Sequence, residues 1–238
     1  VMNGEEIVWN TISQSFDRTR RRPWSEVIGF IDSLSPDSKF LDVGCGNGRH
    51  LIHAAKKLRE VVGVDFSEEL LKIVRKRIDE EKFENVRLIQ ANAISLPFQE
   101  GEFDAAIFVA ALHNIKGKEN RLEALNEVYR IMRPNSKVLV SVWSRWQDRF
   151  RNYFLKDALK YPFKRIKDFF VRESTHEFGD ITLPWKADNM NVPRFYHLYS
   201  KRELLNDVEH CRFKIESLNS VRIRSKHHPD NYFITLRK

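Results

Sequence analysis

Two cysteines in 238 residues, Cys45 and Cys211, lie far apart and belong to no CxxC or other metal-ligand spacing. That excludes a disulfide scaffold, gives no reason to expect a metal, and suits a reducing compartment. No apolar run approaches the roughly 18–20 residues that a membrane helix needs. Glu5, Glu6 and Trp9 interrupt the stretch where a signal peptide would carry its apolar core. Internal repeats and low-complexity tracts are absent as well. The expectation is a soluble cytoplasmic protein without membrane contact.

What is present is a core under an ionic surface. Hydrophobic residues reach 42% and aromatics 12%, enough to fold residues 1–238 as a single domain. Lys and Arg outnumber Asp and Glu by 41 to 33, a formal net charge of +8. A basic surface concentrates polyanions and so points towards nucleic acid, although many basic proteins bind none.

The chain opens with an N-terminal helical segment, residues 1–36. Ile7, Val8, Ile12 and Phe16 sit near helical spacing, the basic run Arg18-Thr19-Arg20-Arg21-Arg22 follows, and Pro23 starts a second helix. From Lys39 the pattern alternates between short apolar strands and amphipathic helices. Strands are expected at Lys39–Val43, Val61–Asp65, Val86–Ala91, Phe103–Val109 and Lys137–Trp143. Ser67 is placed to cap the helix carrying Leu70, Leu71, Val74 and Ile78. Such alternation means a parallel sheet covered on both faces. It breaks at about residues 145–193, a basic and aromatic insertion with Phe150, Tyr153, Phe154, Tyr161, Phe163, Phe169 and Phe170. Phe195–Tyr199, a helix from Lys201, and an antiparallel edge pair at Phe213–Ile223 and Tyr232–Arg237 close the chain.

The strongest local signal is Asp42-Val43-Gly44-Cys45-Gly46-Asn47-Gly48, directly after a strand and opening a helix. Glycines there let the backbone turn tightly and approach a ligand. Dinucleotide folds space theirs as GxGxxG to receive a pyrophosphate at the helix N-terminus. This turn instead carries an acid ahead of its glycines, which suits a ligand bearing a cationic amino group. S-adenosylmethionine is such a ligand. Asp65 ends the second strand, where an acid can accept both ribose hydroxyls. Phe66 is placed to stack on adenine, and Asn92-Ala93 ends the third strand, where the adenine amino group needs an acceptor. Singly, Asp65 could cap a helix, Phe66 could be core and Asn92 could hold a turn. Together, at successive strand ends, they form a cofactor set of Asp42, Gly44, Gly46, Gly48, Asp65, Phe66, Asn92 and Ala93.

This combination resembles the class I methyltransferases. The resemblance implies a Rossmann-like α/β fold, a mostly parallel seven-stranded sheet with an antiparallel edge strand and helices on both faces. Further segments are similar to the tRNA wobble-uridine carboxymethyl methyltransferases, including the methyltransferase domain fused to an AlkB-type hydroxylase. They are Phe16 to Trp24, Ser95-Leu96-Pro97-Phe98, Ala111-Leu112-His113-Asn114, Val142-Trp143, Leu183-Pro184-Trp185 and Arg194 to Tyr199. The sequence departs from that family in having Asn114 for a second histidine, Asn92 for an aspartate, and no Gly-Gly near Arg133. The resemblance implies an RNA substrate, the anticodon region of tRNA, and brings in a small zinc-binding activator subunit as a partner.

The implied reaction esterifies a carboxymethyl group on wobble uridine. Its acceptor is already ionised at neutral pH, so position and charge are needed rather than a base. The residues expected to hold acceptor and nucleotide are Arg20, His113, Arg194 and His197, with Trp143 and Tyr196 as stacking surfaces. No Asn/Asp-Pro-Pro-aromatic motif of amine methylation follows the fourth strand, and neither cysteine is placed to attack a pyrimidine carbon. A methyltransferase of a quinone- or lipid-like small molecule would not need the basic insertion. A non-catalytic RNA-binding or scaffold protein would not need the intact glycine loop.

Overall fold

The computed structural model describes residues 4–171 and 176–238, with side chains left out over 163–171. The expected aromatics Phe163, Phe169 and Phe170 therefore lie outside the described side chains. In chain order the elements begin with α1 (Gly4–Thr19), α2 (Ser25–Asp32), β1 (Lys39–Val43), α3 (Leu51–Ala55), β2 (Glu60–Asp65) and α4 (Glu68–Glu81). Then come β3 (Val86–Gln90), β4 (Phe103–Val109), a 3-10 turn at Leu112–Asn114, α5 (Lys118–Ile131) and β5 (Met132–Trp143). The chain ends with α6 (Arg151–Val171), β6 (Asp180–Ala187), β7 (Met190–His197), α7 (Lys201–His210), β8 (Lys214–Val221) and β9 (Asn231–Arg237).

Seven strands pair in the order β3-β2-β1-β4-β5-β9-β8. β1, β2 and β4 are buried along almost their whole length, as strands covered on both faces must be. One core packs Val43, Val62, Phe108, Leu125 and Val140 on one face; another packs Val27, Phe40, Leu51, Val61 and Ile107 on the other. The antiparallel member is β9, which pairs with both β5 and β8 and so stands one place in from the edge. Strand order reverses between β1 and β4, so the loops after these two strands diverge and open a crevice at their carboxyl ends. Ser67 does cap α4, accepting from Leu70 N–H at 3.3 Å. Among the described residues no helix is long and apolar enough to cross a membrane.

The insertion contains α6 and a separate two-stranded ribbon of β6 and β7, of which the sequence suggested only the end of β7. Pro184 and Pro193 face each other across this ribbon, a place that prolines tolerate because neither strand has a second neighbour to bond. Its turn is Asp188-Asn189, both with positive φ (51° and 61°), as a tight two-residue hairpin turn requires.

A buried ionic network joins the ribbon to the main body. Arg121, fully buried, holds Glu177 through both terminal nitrogens, the shorter contact being 2.7 Å. His197 lies between Asp180 (2.7 Å) and Glu203 (2.9 Å), and Arg145 pairs with Glu203. Burial works against the charged imidazole, but hydrogen bonds to Asp180 and Glu203 raise its pKa above the ordinary value. Stability from this site is then fully present below about pH 6.5 and is lost as pH rises through the raised folded value. The melting temperature should fall as pH rises from about 6.5 through the raised value in the wild type, and less steeply in His197→Gln. Parallel curves for the two proteins would remove His197 as the source.

Candidate active site

The crevice holds a cavity of about 310 Å³, walled by the ends of β1, β2, β3 and β4 and by one face of α1. The loop after β1 can only pass here as glycine. Gly44 has φ +67°, and a Cβ on it would stand 2.5 Å from Cβ of Ala111. Gly46 has φ +57° and lies against the cavity, with Phe16 facing it. Gly48 packs against Val74 of α4. Asp65 fixes the loop from the neighbouring strand: Oδ2 accepts from Gly46 N–H at 2.8 Å and Oδ1 from Ser67 N–H at 2.9 Å. Each oxygen keeps capacity for a further donor.

Burial dominates the electrostatics. It pushes Asp65 up to about 6, against the pull of its backbone hydrogen bonds, and Asp42 up to about 8, helped by the charge of Asp65. Oδ2 of Asp42 is buried without a hydrogen-bond partner, and so is Oδ1 of Asn114, whose amide nitrogen is held by the Ala110 carbonyl at 3.0 Å. Orphaned acceptors in a cavity that also meets the glycine loop at Gly44 and Gly46 fit a ligand that brings cationic and hydroxyl donors, as S-adenosylmethionine does. Asp42 and Asn114 would hold its amino group and Asp65 its ribose.

Phe66, Asn92 and Ala93 also line this cavity. Asn92 holds a turn, its carboxamide oxygen accepting from Ile94 N–H at 3.2 Å, so only its second lone pair is open to an adenine amine. Glu5, Trp9 and Phe16 line the cavity as well; of these only Phe16 belongs to the apolar helical spacing of the sequence. Cys45 is buried in the wall, with its thiol pushed far up by burial and by Asp65 and Asp42, which leaves it unreactive.

The expected acceptor residues gather on the far side of Phe16. The Arg20 guanidinium stands 5.9 Å from the Phe16 ring. Arg194 is buried, 4.5 Å over Trp185, 4.9 Å over Tyr196 and 5.9 Å over Trp9. Its Nε has no partner, and neither arginine makes an ion pair among the described residues. Burial lowers the pKa of both, and Arg194 is among the cations acting on Arg20. His113 is fully buried; burial, then the charges of His197 and Arg194, bring it down to about 3. Its Nδ1 accepts from Trp143 N–H at 3.3 Å, so the neutral ring carries its proton on Nε2, which has no partner.

Two expectations change. His197 does not face this group. It points to the other side of β7 from Arg194 and Tyr196, by the two-residue period of a strand, and both its nitrogens are taken by Asp180 and Glu203. It positions the ribbon. Trp143 does not offer a free stacking face: it stacks on Tyr196 at 4.5 Å, His113 at 5.0 Å and Phe150 at 5.2 Å. Tyr196 is almost wholly buried in the same stack.

Comparison with known proteins agrees with this geometry. A methyltransferase-domain sequence profile matches residues 40–135. A tRNA (carboxymethyluridine(34)-5-O)-methyltransferase of Xenopus tropicalis is 36% identical over 172 residues, covering 72% of this chain and 24% of the relative. The chain thus spans about a quarter of that protein's length. A Schizosaccharomyces pombe protein of the same name is 28% identical over 85% of both chains. Among solved structures, a Methanosarcina mazei SAM-dependent methyltransferase aligns with a TM-score of 0.71 at 20% identity, over 91% of this chain and 98% of that one. A Burkholderia thailandensis 1,6-didemethyltoxoflavin-N1-methyltransferase, solved with S-adenosylhomocysteine, gives 0.65 at 16% identity, over 100% and 92%. At these identities the two structures share the fold alone.

A cation beside Asp42 favours its ionised form, so binding lowers its pKa and expels a proton. Affinity for S-adenosylmethionine should therefore climb as pH rises towards about 8, with proton release visible as buffer-dependent heat in calorimetry. Asp42→Asn should abolish that release. Separately, Asp65→Ala should weaken binding by about 1–3 kcal/mol, because charge-assisted bonds to the ribose are lost and Gly46 N–H is left without its acceptor. Unchanged affinity in Asp65→Ala would sink the assignment.

Proposed function

Because this chain belongs to the S-adenosylmethionine-dependent methyltransferase family of the tRNA (carboxymethyluridine(34)-5-O)-methyltransferases, we propose that it methylates tRNA, forming an ester on a carboxymethyl-type wobble uridine. The observation that carries the reading is the pair of guanidiniums, Arg20 and Arg194, left without ion-pair partners among the described residues beside the cofactor cavity. Guanidinium stays protonated at neutral pH even when burial lowers its pKa, and its planar fork matches a carboxylate. The rings of Trp185, Tyr196 and Trp9 stand in for water around Arg194.

When bound, S-adenosylmethionine supplies a methyl group on a sulfonium, so an ionised carboxylate oxygen becomes an ester without loss of a proton. The chain's residues then have three tasks. Asp42, Asn114 and Asp65 hold the cofactor, Arg20 and Arg194 hold the acceptor, and the His113-Trp143-Tyr196 stack keeps water away from the reacting oxygen. His113 serves as a neutral donor through Nε2. Its depressed pKa makes it a poor base, and an ionised acceptor needs none. Both thiols are free and buried, which accords with a cytosolic setting. An activator subunit of the kind expected from the sequence would cover β3 or β8, the two outer strands of the sheet.

The product decides. Methyl label transferred to tRNA should be released as volatile methanol by dilute alkali, because an ester hydrolyses where N-methyl, C-methyl and ether groups survive. Label that stays on the nucleoside would end the carboxylate reading and leave methyl transfer itself intact.

A further inference from the structure

A second cleft, of about 380 Å³, opens beside the cofactor cavity and shares Arg49 with it. Arg20, Arg21, Arg49, Arg149 and Arg224 face it from three distant parts of the chain and from the glycine loop's own helix start. None of the five makes an ion pair among the described residues. They also repel one another: Arg224 and Arg149 both lower the pKa of Arg20, and Arg20 lowers that of Arg49.

The acids nearby do not neutralise this charge, because they are used to build it. Asp230, the one acid in the cleft wall among the described residues, accepts through Oδ2 from the N–H groups of Ile223 (2.7 Å), Arg224 (2.6 Å) and Ser225 (2.8 Å), and through Oδ1 from the Ser225 hydroxyl (2.6 Å). Asp148 accepts from the N–H groups of Lys226 (2.8 Å) and His227 (3.0 Å) and bonds His228 Nδ1 (3.0 Å). Its own N–H donates to Ser225 Oγ at 3.0 Å. The turn between β8 and β9 is thereby fastened to the residue next to Arg149, and the exposed Arg149 and Arg224 line one cleft, where Arg149 stands 4.9 Å over the Phe150 ring and Arg49 stands 4.4 Å over Trp24. A groove continues past Arg21, Pro23 and Arg49, and its acids Glu80 and Glu81 are paired with Lys76 and Lys56.

A single small anion would not need unpaired cations spread along a cleft and onward into a groove. A strand of phosphates would. We propose that this cleft is a phosphodiester-binding subsite in which Arg149 and Arg224 clamp the backbone of a single-stranded RNA segment next to the nucleotide entering the cofactor cavity. The assignment rests on the RNA reading above but not on the identity of the methylated group.

The test is tRNA binding across a salt series by Arg149→Gln/Arg224→Gln, with two probes: an unmodified transcript, and tRNA bearing the carboxymethyl group. Both arginines are exposed, so fold and S-adenosylmethionine affinity serve as controls. Affinity should fall about tenfold for both probes, and the slope of log affinity against log salt should drop by about 1.5, as expected for two lost phosphate contacts. Arg149→Lys/Arg224→Lys should keep the slope. Unchanged affinity and slope on both probes would overturn the proposal. So would a loss confined to the carboxymethylated probe, which would assign the cleft to the acceptor carboxylate instead. The alkali test reads chemistry alone, so its failure is distinguishable from this one.

Discussion

The side chain of Asn47, buried in the glycine loop, is the joint on which both halves of the site depend. Its amide nitrogen donates to Asp17 Oδ1 at 2.8 Å and to the Arg20 carbonyl at 2.9 Å. Arg77 of α4 donates both to the Asn47 carbonyl and to Asp17. The loop that shapes the cofactor cavity is thereby bonded to the end of α1 and to the backbone of Arg20. Charge-assisted hydrogen bonds of this kind contribute about 1.5–3 kcal/mol each when partly buried. The same joint sets where Phe16 and Trp9 roof the cavity and where the Arg20 guanidinium stands. The N-terminal helix is therefore a wall of the site rather than a tether leading to it.

Charge is sorted across that wall. The carboxylates of Asp42 and Asp65 line the cofactor cavity, with Arg49 as a cation beside them, while Arg20 and Arg194 lie among the aromatic rings of Phe16, Trp185 and Tyr196. The sorting has a cost, since burial shifts the pKa values of Asp42 and Arg194 towards the neutral forms, and the charge of Arg49 offsets this only in part at Asp42. A cationic donor and an anionic acceptor would each relieve one side. Binding of the cofactor's amino group at Asp42, and of an anionic acceptor at Arg194, would each offset part of that cost, at atoms next to the reacting ones rather than at them.

The alternating part of the fold was legible because its strands are short apolar runs and its helices keep their period. So was the cofactor loop, because only glycine allows positive φ and an approach like that of Gly44 to Ala111. What escaped did so for physical reasons. The β6–β7 ribbon contains two prolines, which argue against strands, and its turn is Asp-Asn rather than Asn-Gly. His197 sits in the same short segment as Arg194, but strand alternation turns it to the other face. Phe16 looks like core from its spacing because the ligand cavity is a continuation of the core. Arg149 and Arg224 lie 75 positions apart and meet only because Asp148 and Asp230 fold the β8–β9 turn back.

The ribbon also bears on whether the insertion is a separate unit. A lone two-stranded hairpin is marginal in water, and this one gains its hold from elsewhere. Trp185 donates through its indole N–H to Ser15 Oγ of α1 at 2.7 Å and packs with Trp9, Ile12 and Leu70. At the other end, Tyr199 N–H donates to the Trp143 carbonyl at 2.9 Å, and the Tyr199 carbonyl accepts from Arg145 N–H at 3.0 Å, so the exit of β7 extends from the end of β5. Arg194 lies against rings from both α1 and the ribbon. We infer that the β6–β7 ribbon folds together with the rest as one unit. A ribbon that opened on its own would strip the aromatic cage from Arg194 and uncover the roof of the cofactor cavity in the same event. Acceptor and cofactor binding would then both favour the closed ribbon, and each would strengthen the other without direct contact between them.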